Sequence, residues 1–246
     1  MNPILHIEDI DLSYNEKNVL EQVSFDIYPG VFIGLLGANG AGKSTLLLAI
    51  SGQFQPVRGV ISFNDGDIYQ QNRLYKQHIG FVHEQPFLYP GLSVIEFMEF
   101  VGAVKKVEKV RLGKQIPELL EAVNLTDQSG KLCAKLSQGM RKKLVIASAF
   151  LGQPMIVFLD EALNGIDLES IYKIKQMFRT FVNGGGTLIL ATHILEVLEK
   201  ICNRILILSN RKLTADLSDT EIQQMKNLDP LFDLEQFIIK NLQDSG

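Results

Sequence analysis

The residues with the clearest chemistry lie in one run, Gly37-Ala38-Asn39-Gly40-Ala41-Gly42-Lys43-Ser44-Thr45. They fit the pattern G-x-x-x-x-G-K-[ST], in which backbone N–H groups turn inward to cradle phosphates. Lys43 can reach the outer phosphates of a nucleotide, and the Ser44 hydroxyl is placed to meet Mg²⁺. The flanks agree with that use. The apolar run Val31-Phe32-Ile33-Gly34-Leu35-Leu36 leads in, and Leu46-Leu47-Leu48-Ala49-Ile50 leads out to Ser51-Gly52. This reads as strand, glycine loop, helix, with the positive end of the helix dipole at the loop.

A second chemical group follows Met155-Ile156-Val157-Phe158-Leu159, a continuous apolar run that predicts a buried parallel strand. It ends in Asp160-Glu161, at the strand end where α/β folds bind ligands. There Asp160 can hold a metal, directly or through water, and Glu161 can orient or deprotonate an attacking water. Thr187-Leu188-Ile189-Leu190-Ala191 predicts another buried strand, followed by Thr192-His193. If it runs parallel to the strand of Asp160, His193 faces the same ligand edge. In Leu136-Ser137-Gln138-Gly139-Met140-Arg141-Lys142-Lys143, Ser137 is a good N-cap for a helix. The cations of that helix oppose its dipole, which points to a nearby anion or acidic neighbour. Tyr14, between two strands, is either a packing residue or a flat face for a nucleobase.

These groups must be positioned by an α/β framework. Alternating patterns at Ile4–Ile7 and Val23–Ile27 predict half-buried strands, and Asn64-Asp65-Gly66-Asp67 predicts a tight turn after the strand Val60–Phe63. A strand at residues 79–83 stops before Glu84-Gln85-Pro86, since Pro86 cannot continue a central strand. Helical spacing then takes over from Ser93 to about Val123, so residues 85–150 read as an all-helical insert. Its basic stretch from Lys105 to Arg111 reads as a solvated face. Asp167 predicts an N-cap for a helix with core face Ile171, Ile174, Phe178 and Phe181, stopping at Asn183-Gly184. Ile205–Leu208 reads as the last clear strand. Beyond Thr214 the chain is more polar, with one amphipathic segment carrying Phe232, Phe237, Ile238 and Leu242.

The totals narrow the function classes. With 246 residues and 46% apolar composition, the chain can bury a large core. A net charge of −4 gives no support to a nucleic-acid coat or a polybasic membrane anchor. Cys133 and Cys202 fit no metal or redox spacing and read as reduced buried thiols. No signal peptide and no stretch long enough to span a membrane are expected.

Together these pieces resemble the ATP-binding subunit of an ABC transporter over about residues 3–214. Gly37–Thr45 is similar to the Walker A loop, and Met155–Glu161 to the Walker B strand, with Asp160 the metal-side carboxylate and Glu161 the catalytic one. Tyr14 falls at the adenine-stacking aromatic, His193 at the switch histidine, and Asn164-Gly165-Ile166-Asp167 at the D-loop. Ser137-Gln138-Gly139-Met140 lies in the signature, with Gln138 and Met140 in place of glycine and glutamine. The Q-loop position holds Glu84, a further oxygen donor for the metal, although Gln85 next to it can serve through a one-residue shift.

The resemblance implies a P-loop NTPase (RecA-like) α/β core with a mainly parallel sheet. An N-terminal antiparallel β subdomain and the helical insert complete a domain over 1–214, with a helical extension over 215–246. It implies ATP and Mg²⁺ as cofactors. It also implies a dimer of this chain or a paired ATPase subunit that closes on ATP, the signature of one subunit facing the Walker A loop of the other. Lys43, Glu161 and His193 would carry the hydrolysis. The partner would be a separate integral-membrane permease, with no nucleic acid, at the cytoplasmic face of the membrane. Pro86-Phe87-Leu88-Tyr89-Pro90 and the two departures resemble the exporter-like branch. The alternative is a soluble ABC-type ATPase switch in translation, repair or cofactor assembly.

Overall fold

A computed structural model describes residues 2–15, 17–194, 201–228 and 236–238. The chain folds into two compact units, one built from Met1–Tyr75 with Thr187–Gly246, the other from Lys76–Gly186.

In the first unit, β1 (Leu5–Tyr14) and β2 (Lys17–Ile27) form a long antiparallel hairpin. β4 (Arg58–Phe63) pairs with β1 on its other edge, and β5 (Gly66–Asp67) pairs with β4. Inward residues Leu5, Ile7, Ile10, Leu12, Leu20 and Ile27 are fully buried, as alternation on a half-covered sheet requires. The two strands run farther than their apolar alternation suggests. Register shifts break it after Ile7 and Ile10, and Asp9 and Gln22 take positive φ at these irregularities. Tyr14 consequently ends β1, paired with Lys17, and does not lie between strands. The turn at Asn64-Asp65 is a two-residue hairpin with positive φ at both positions, the geometry that asparagine and aspartate tolerate.

The same unit holds β3 (Phe32–Gly37), β8 (Thr187–Thr192), β9 (Arg204–Ser209) and β10 (Lys212–Ser218). β3 runs parallel to both β8 and β9, and β10 folds back antiparallel on β9. Every residue of β3 and β8 is buried, which explains their continuous apolar sequence. One more strand, β10, follows the clear apolar run Ile205–Leu208 of β9. β10 alternates Leu213, Ala215 and Leu217 with Lys212, Thr214, Asp216 and Ser218 and is mostly half-buried, a short period-2 pattern that the sequence reading passed over. Arg204 grips Asp216 across the β9–β10 pair through two bonds of 2.6 and 2.7 Å. A helix, α7 (Asp219–Leu228), follows. Ile238 is buried. Phe232 and Leu242 lie outside the described residues.

The second unit contains β6 (Ile79–Val82) parallel to β7 (Ile156–Asp160), with α3 (Val94–Val104), α4 (Lys109–Ala122), α5 (Gln138–Ala149) and α6 (Leu168–Asn183). α3 begins with a reciprocal capping box between Ser93 and Glu96. Lys105 departs from the solvated face read for its neighbours. Its ammonium donates to Ala149 O and Leu151 O at 2.9 and 3.1 Å, which satisfies carbonyls at the end of α5. α6 begins and ends where the sequence predicts, with Asp167 accepting from the Ser170 amide at 2.9 Å and Gly184 as C-cap. Ile174 and Phe178 are its fully buried apolar residues. Among the described residues, no helix is long and apolar enough to cross a membrane.

Candidate active site

Each unit carries one group of the residues singled out above. In the first, β3 delivers Gly37 into a loop that enters α1 (Lys43–Ile50) through Gly42. Gly42 has φ +99°, and a Cβ there would sit 3.0 Å from the Leu20 side chain. Only glycine meets both conditions without strain. With glycine as the cap, no side chain of that residue competes for the first amides of α1, which are open to an anion. Lys43 is nearly buried and arches back over the loop, its ammonium donating to Gly37 O and Ala38 O at 2.8 and 3.1 Å. Ala38, Asn39, Gly40 and Ser44 are exposed, whereas Ala41 and Thr45 are half-buried.

The far end of α1 is fixed by α2 (Asn72–Tyr75). Tyr75 donates to Ile50 O at 2.5 Å, Asn72 donates to Gly52 O at 2.7 Å, and the Tyr69 hydroxyl lies 2.8 Å from Ala49 O. Burial drives the Tyr75 hydroxyl pKa far above its ordinary value, so it remains a donor. The pairing of Leu36 with Thr192 brings Gly37 and His193 to the same edge of the sheet. His193 is exposed there. Tyr14 lies with its ring centroid 4.5 Å from Phe54, at 30°, and stays 44% exposed. It therefore both packs and offers open aromatic surface.

In the second unit, the pairing of Val82 with Leu159 aligns the residues that leave β6 with those that leave β7. Glu84 and Gln85 are both exposed beyond that edge. Asp160 is 6% exposed at the end of β7, and Glu161 turns out of the strand with φ +45°. Such a backbone is uncommon for a residue with a Cβ, and it is found at functional turns. The Glu161 carboxylate accepts from Asn164 Nδ2 at 3.0 Å. His83 is a residue the sequence reading passed over. It follows β6 against the Phe81 ring, with centroids 4.3 Å apart. Desolvation against the protein lowers its pKa, and the Asp160 charge acts in the opposite direction.

The signature segment opens α5. Ser137 accepts from its own helix, Oγ to Met140 N at 3.3 Å, while Gln138 is exposed and Gly139 and Met140 are half-buried. A Cβ on Gly139 would stand 3.0 Å from Gly165 O, so the signature glycine abuts the D-loop backbone. Two of the three ill-placed cations have described partners. Arg141 donates to Leu136 O and Ala134 O at 3.2 and 3.0 Å. Lys143, 6% exposed, donates to the fully buried Ser170 at 2.9 Å and lies 3.5 Å from Asp167. Asp167 is thus an acidic neighbour of Lys143 alone among the described contacts of these cations. Its pKa is lowered, first by the Ser170 amide and to a smaller extent by the Lys143 charge.

A backbone ladder, invisible in the residue types, also leads to the signature. Ala134 N donates to Pro90 O, Cys133 N to Leu92 O, Val94 N to Lys131 O and Ile95 N to Ser129 O, at 2.8–3.2 Å. The segment after Glu84 is thereby tied to the segment before Ser137.

Residues 20–164 match the family model described as ABC transporter. The chain is 30% identical over 221 residues to the ABC-type transporter ATP-binding protein EcsA of Bacillus subtilis (strain 168), covering 90% of each chain. It is 28% identical to the SkfA peptide export ATP-binding protein SkfE of the same organism, over 87% of this chain and 89% of that one. A solved structure of an ATP-binding subunit of an ABC transporter superposes with a TM-score of 0.90 at 28% identity, covering 98% of this chain and 100% of the other. The chain belongs to the ABC transporter family, as an ATP-binding, ATP-hydrolysing subunit.

Proposed function

We propose that this subunit works as a dimer, with a second copy or a paired ATPase subunit, that closes on ATP and Mg²⁺ and drives a separate membrane permease. The observation that carries the nucleotide reading is the loop itself: a glycine-capped helix with Lys43 2.8 Å from Gly37 O, arched over open backbone amides. In this reading Gly37–Thr45 receive the phosphates, Lys43 neutralises their outer charge, and Tyr14 stacks on the adenine. His193 contacts the γ-phosphate.

The donor set fits Mg²⁺. The Ser44 hydroxyl, the Asp160 carboxylate and the Glu84 carboxylate are hard oxygen donors, the kind this ion takes together with substrate phosphates. When bound, Mg²⁺ would neutralise charge developing on the transferred phosphoryl group. Glu161 takes a proton from the attacking water. Ser137, Gln138, Gly139 and Met140 form the helix N-terminus that meets the nucleotide of the partner subunit, with the Gln138 and Gly139 amides toward its phosphates, since the Met140 amide already meets Ser137 Oγ.

Transport is favoured over a soluble switch because the relatives carry transporter names. Export is favoured because one is named for SkfA peptide export and another, 29% identical, for Nod factor export in Cupriavidus metallidurans. The subunit would then sit at the cytoplasmic membrane face, held by the permease. The test is Mg²⁺-dependent ATPase activity of the full chain. Glu161→Gln should bind ATP without turnover, and Lys43→Met should lose binding. Turnover by Glu161→Gln at the wild-type rate would refute the assignment.

A further inference from the structure

We propose that Asn164 is a positioning residue for hydrolysis, its side-chain amide holding the Glu161 carboxylate in the geometry from which it takes the proton of water. The proposal rests on the reading of Glu161 as the catalytic carboxylate. Its own basis is the 3.0 Å bond from Asn164 Nδ2 to Glu161 Oε2. The direction of this bond is fixed by chemistry, because a carboxylate only accepts and the amide NH₂ is the only donor on that side chain.

The surrounding backbone fits a device for aiming Glu161. Glu161 leaves β7 with φ +45°, so its direction is not inherited from the strand. Asn164 is the third residue on, and its own N–H points back at Glu161 O at 3.4 Å. The turn is therefore closed by main chain and side chain together. Its other end is anchored by Asp167, which caps α6 and meets Lys143. The residue after Asn164 is Gly165, whose carbonyl lies against Gly139 of the signature. Asn164 thus lies between the carboxylate and the stretch of the turn, Gly165, that abuts Gly139 of the signature helix. A displacement of Gly139 would be passed to Glu161 through Asn164.

Two substitutions separate aiming from mere turn support. Asn164→Ala removes the donor. Asn164→Asp keeps the shape and the turn preference but places a second carboxylate against the first, which repels it. If the residue only supports the turn, Asn164→Asp resembles wild type and Asn164→Ala is worse. If it aims Glu161 by donation, the order reverses. We expect kcat for ATP to fall about fivefold in Asn164→Ala and about twentyfold or more in Asn164→Asp, with KM within about twofold of wild type. Lowering the pH from about 8 to 6 should narrow the Asn164→Asp deficit, because the introduced carboxyl becomes a donor when protonated. Thermal melting of each variant establishes that it is folded.

Retention of more than half the wild-type kcat by folded Asn164→Asp, with Glu161→Gln inactive, overturns the positioning role alone. Turnover by Glu161→Gln overturns the reading of Glu161 on which it rests. If Asn164→Asp does not fold, Asn164→Ala decides: the proposal expects its kcat about fivefold down with KM within about twofold of wild type, and a folded Asn164→Ala with more than half the wild-type kcat refutes it.

Discussion

The contact between Lys143 and Ser170 gives a direct test of what holds the signature helix to α6. Both groups are buried, and their 2.9 Å bond is the shortest that Lys143 makes among those described; Asn124 O is at 3.4 Å and the exposed Asp167 carboxylate at 3.5 Å. Replacing Lys143 with Met preserves most of the apolar stem but leaves the Ser170 hydroxyl without its charged donor. A buried charge-assisted hydrogen bond contributes about 1.5–3 kcal/mol, whereas the exposed Asp167 pair adds at most a few tenths. Lys143→Met should therefore destabilise the protein by about 2 kcal/mol, a drop of about 5 °C in Tm for a chain of this size. Ser170→Ala leaves the ammonium buried with fewer acceptors and should cost about 1–2 kcal/mol. The double variant leaves no unsatisfied pair, so its loss should be smaller than the sum by at least about 1 kcal/mol. Urea denaturation of the four proteins measures this cycle. Additive losses, or a Lys143→Met effect below about 0.5 kcal/mol, would refute the idea that this bond ties α5 to α6.

Other expectations follow from the same geometry. Gly42→Ala forces a Cβ onto φ +99° and against Leu20; it should cost about 1–3 kcal/mol of stability and weaken ATP binding at least tenfold, read by calorimetry and nucleotide titration. Gly139→Ala places a methyl 3.0 Å from Gly165 O, so the D-loop must shift by tenths of an ångström; kcat should fall about tenfold while Tm changes little. For Lys105, burial lowers the pKa to about 8 from 10.5. Between those values the unfolded chain keeps a proton that the folded chain has released, so this residue makes stability rise with pH across the window. The contribution is at most about 3 kcal/mol, and Lys105→Met should flatten the slope in urea melts from pH 8 to 10.5.

What was legible in the sequence was local. The strand, loop and helix around Lys43 and the caps at Ser137 and Asp167 depend on residues within a few positions of each other, and they fold as read. The strands around Asp160 and His193 were readable because burial on both faces demands continuous apolar residues. What was not legible depended on distant partners. The ladder between Pro90–Ile95 and Ser129–Ala134 uses main-chain carbonyls, which every residue has, and N–H groups, which every residue but proline has. Lys105 and Lys143 look like surface cations until the carbonyls and hydroxyl that receive them are placed. The alternation of Leu213, Ala215 and Leu217 in β10 was legible but short and passed over, and the length of β1 and β2 was hidden by bulges that interrupt the alternation.

The central claim is that ATP completes a site made by two subunits, and association of the Glu161→Gln chain tests it most directly. Sedimentation with and without ATP should show a monomer that becomes a dimer at saturating nucleotide, with Lys43→Met in the same background remaining monomeric. A Glu161→Gln chain that binds ATP yet stays monomeric, alone and with its paired subunit, would contradict the account.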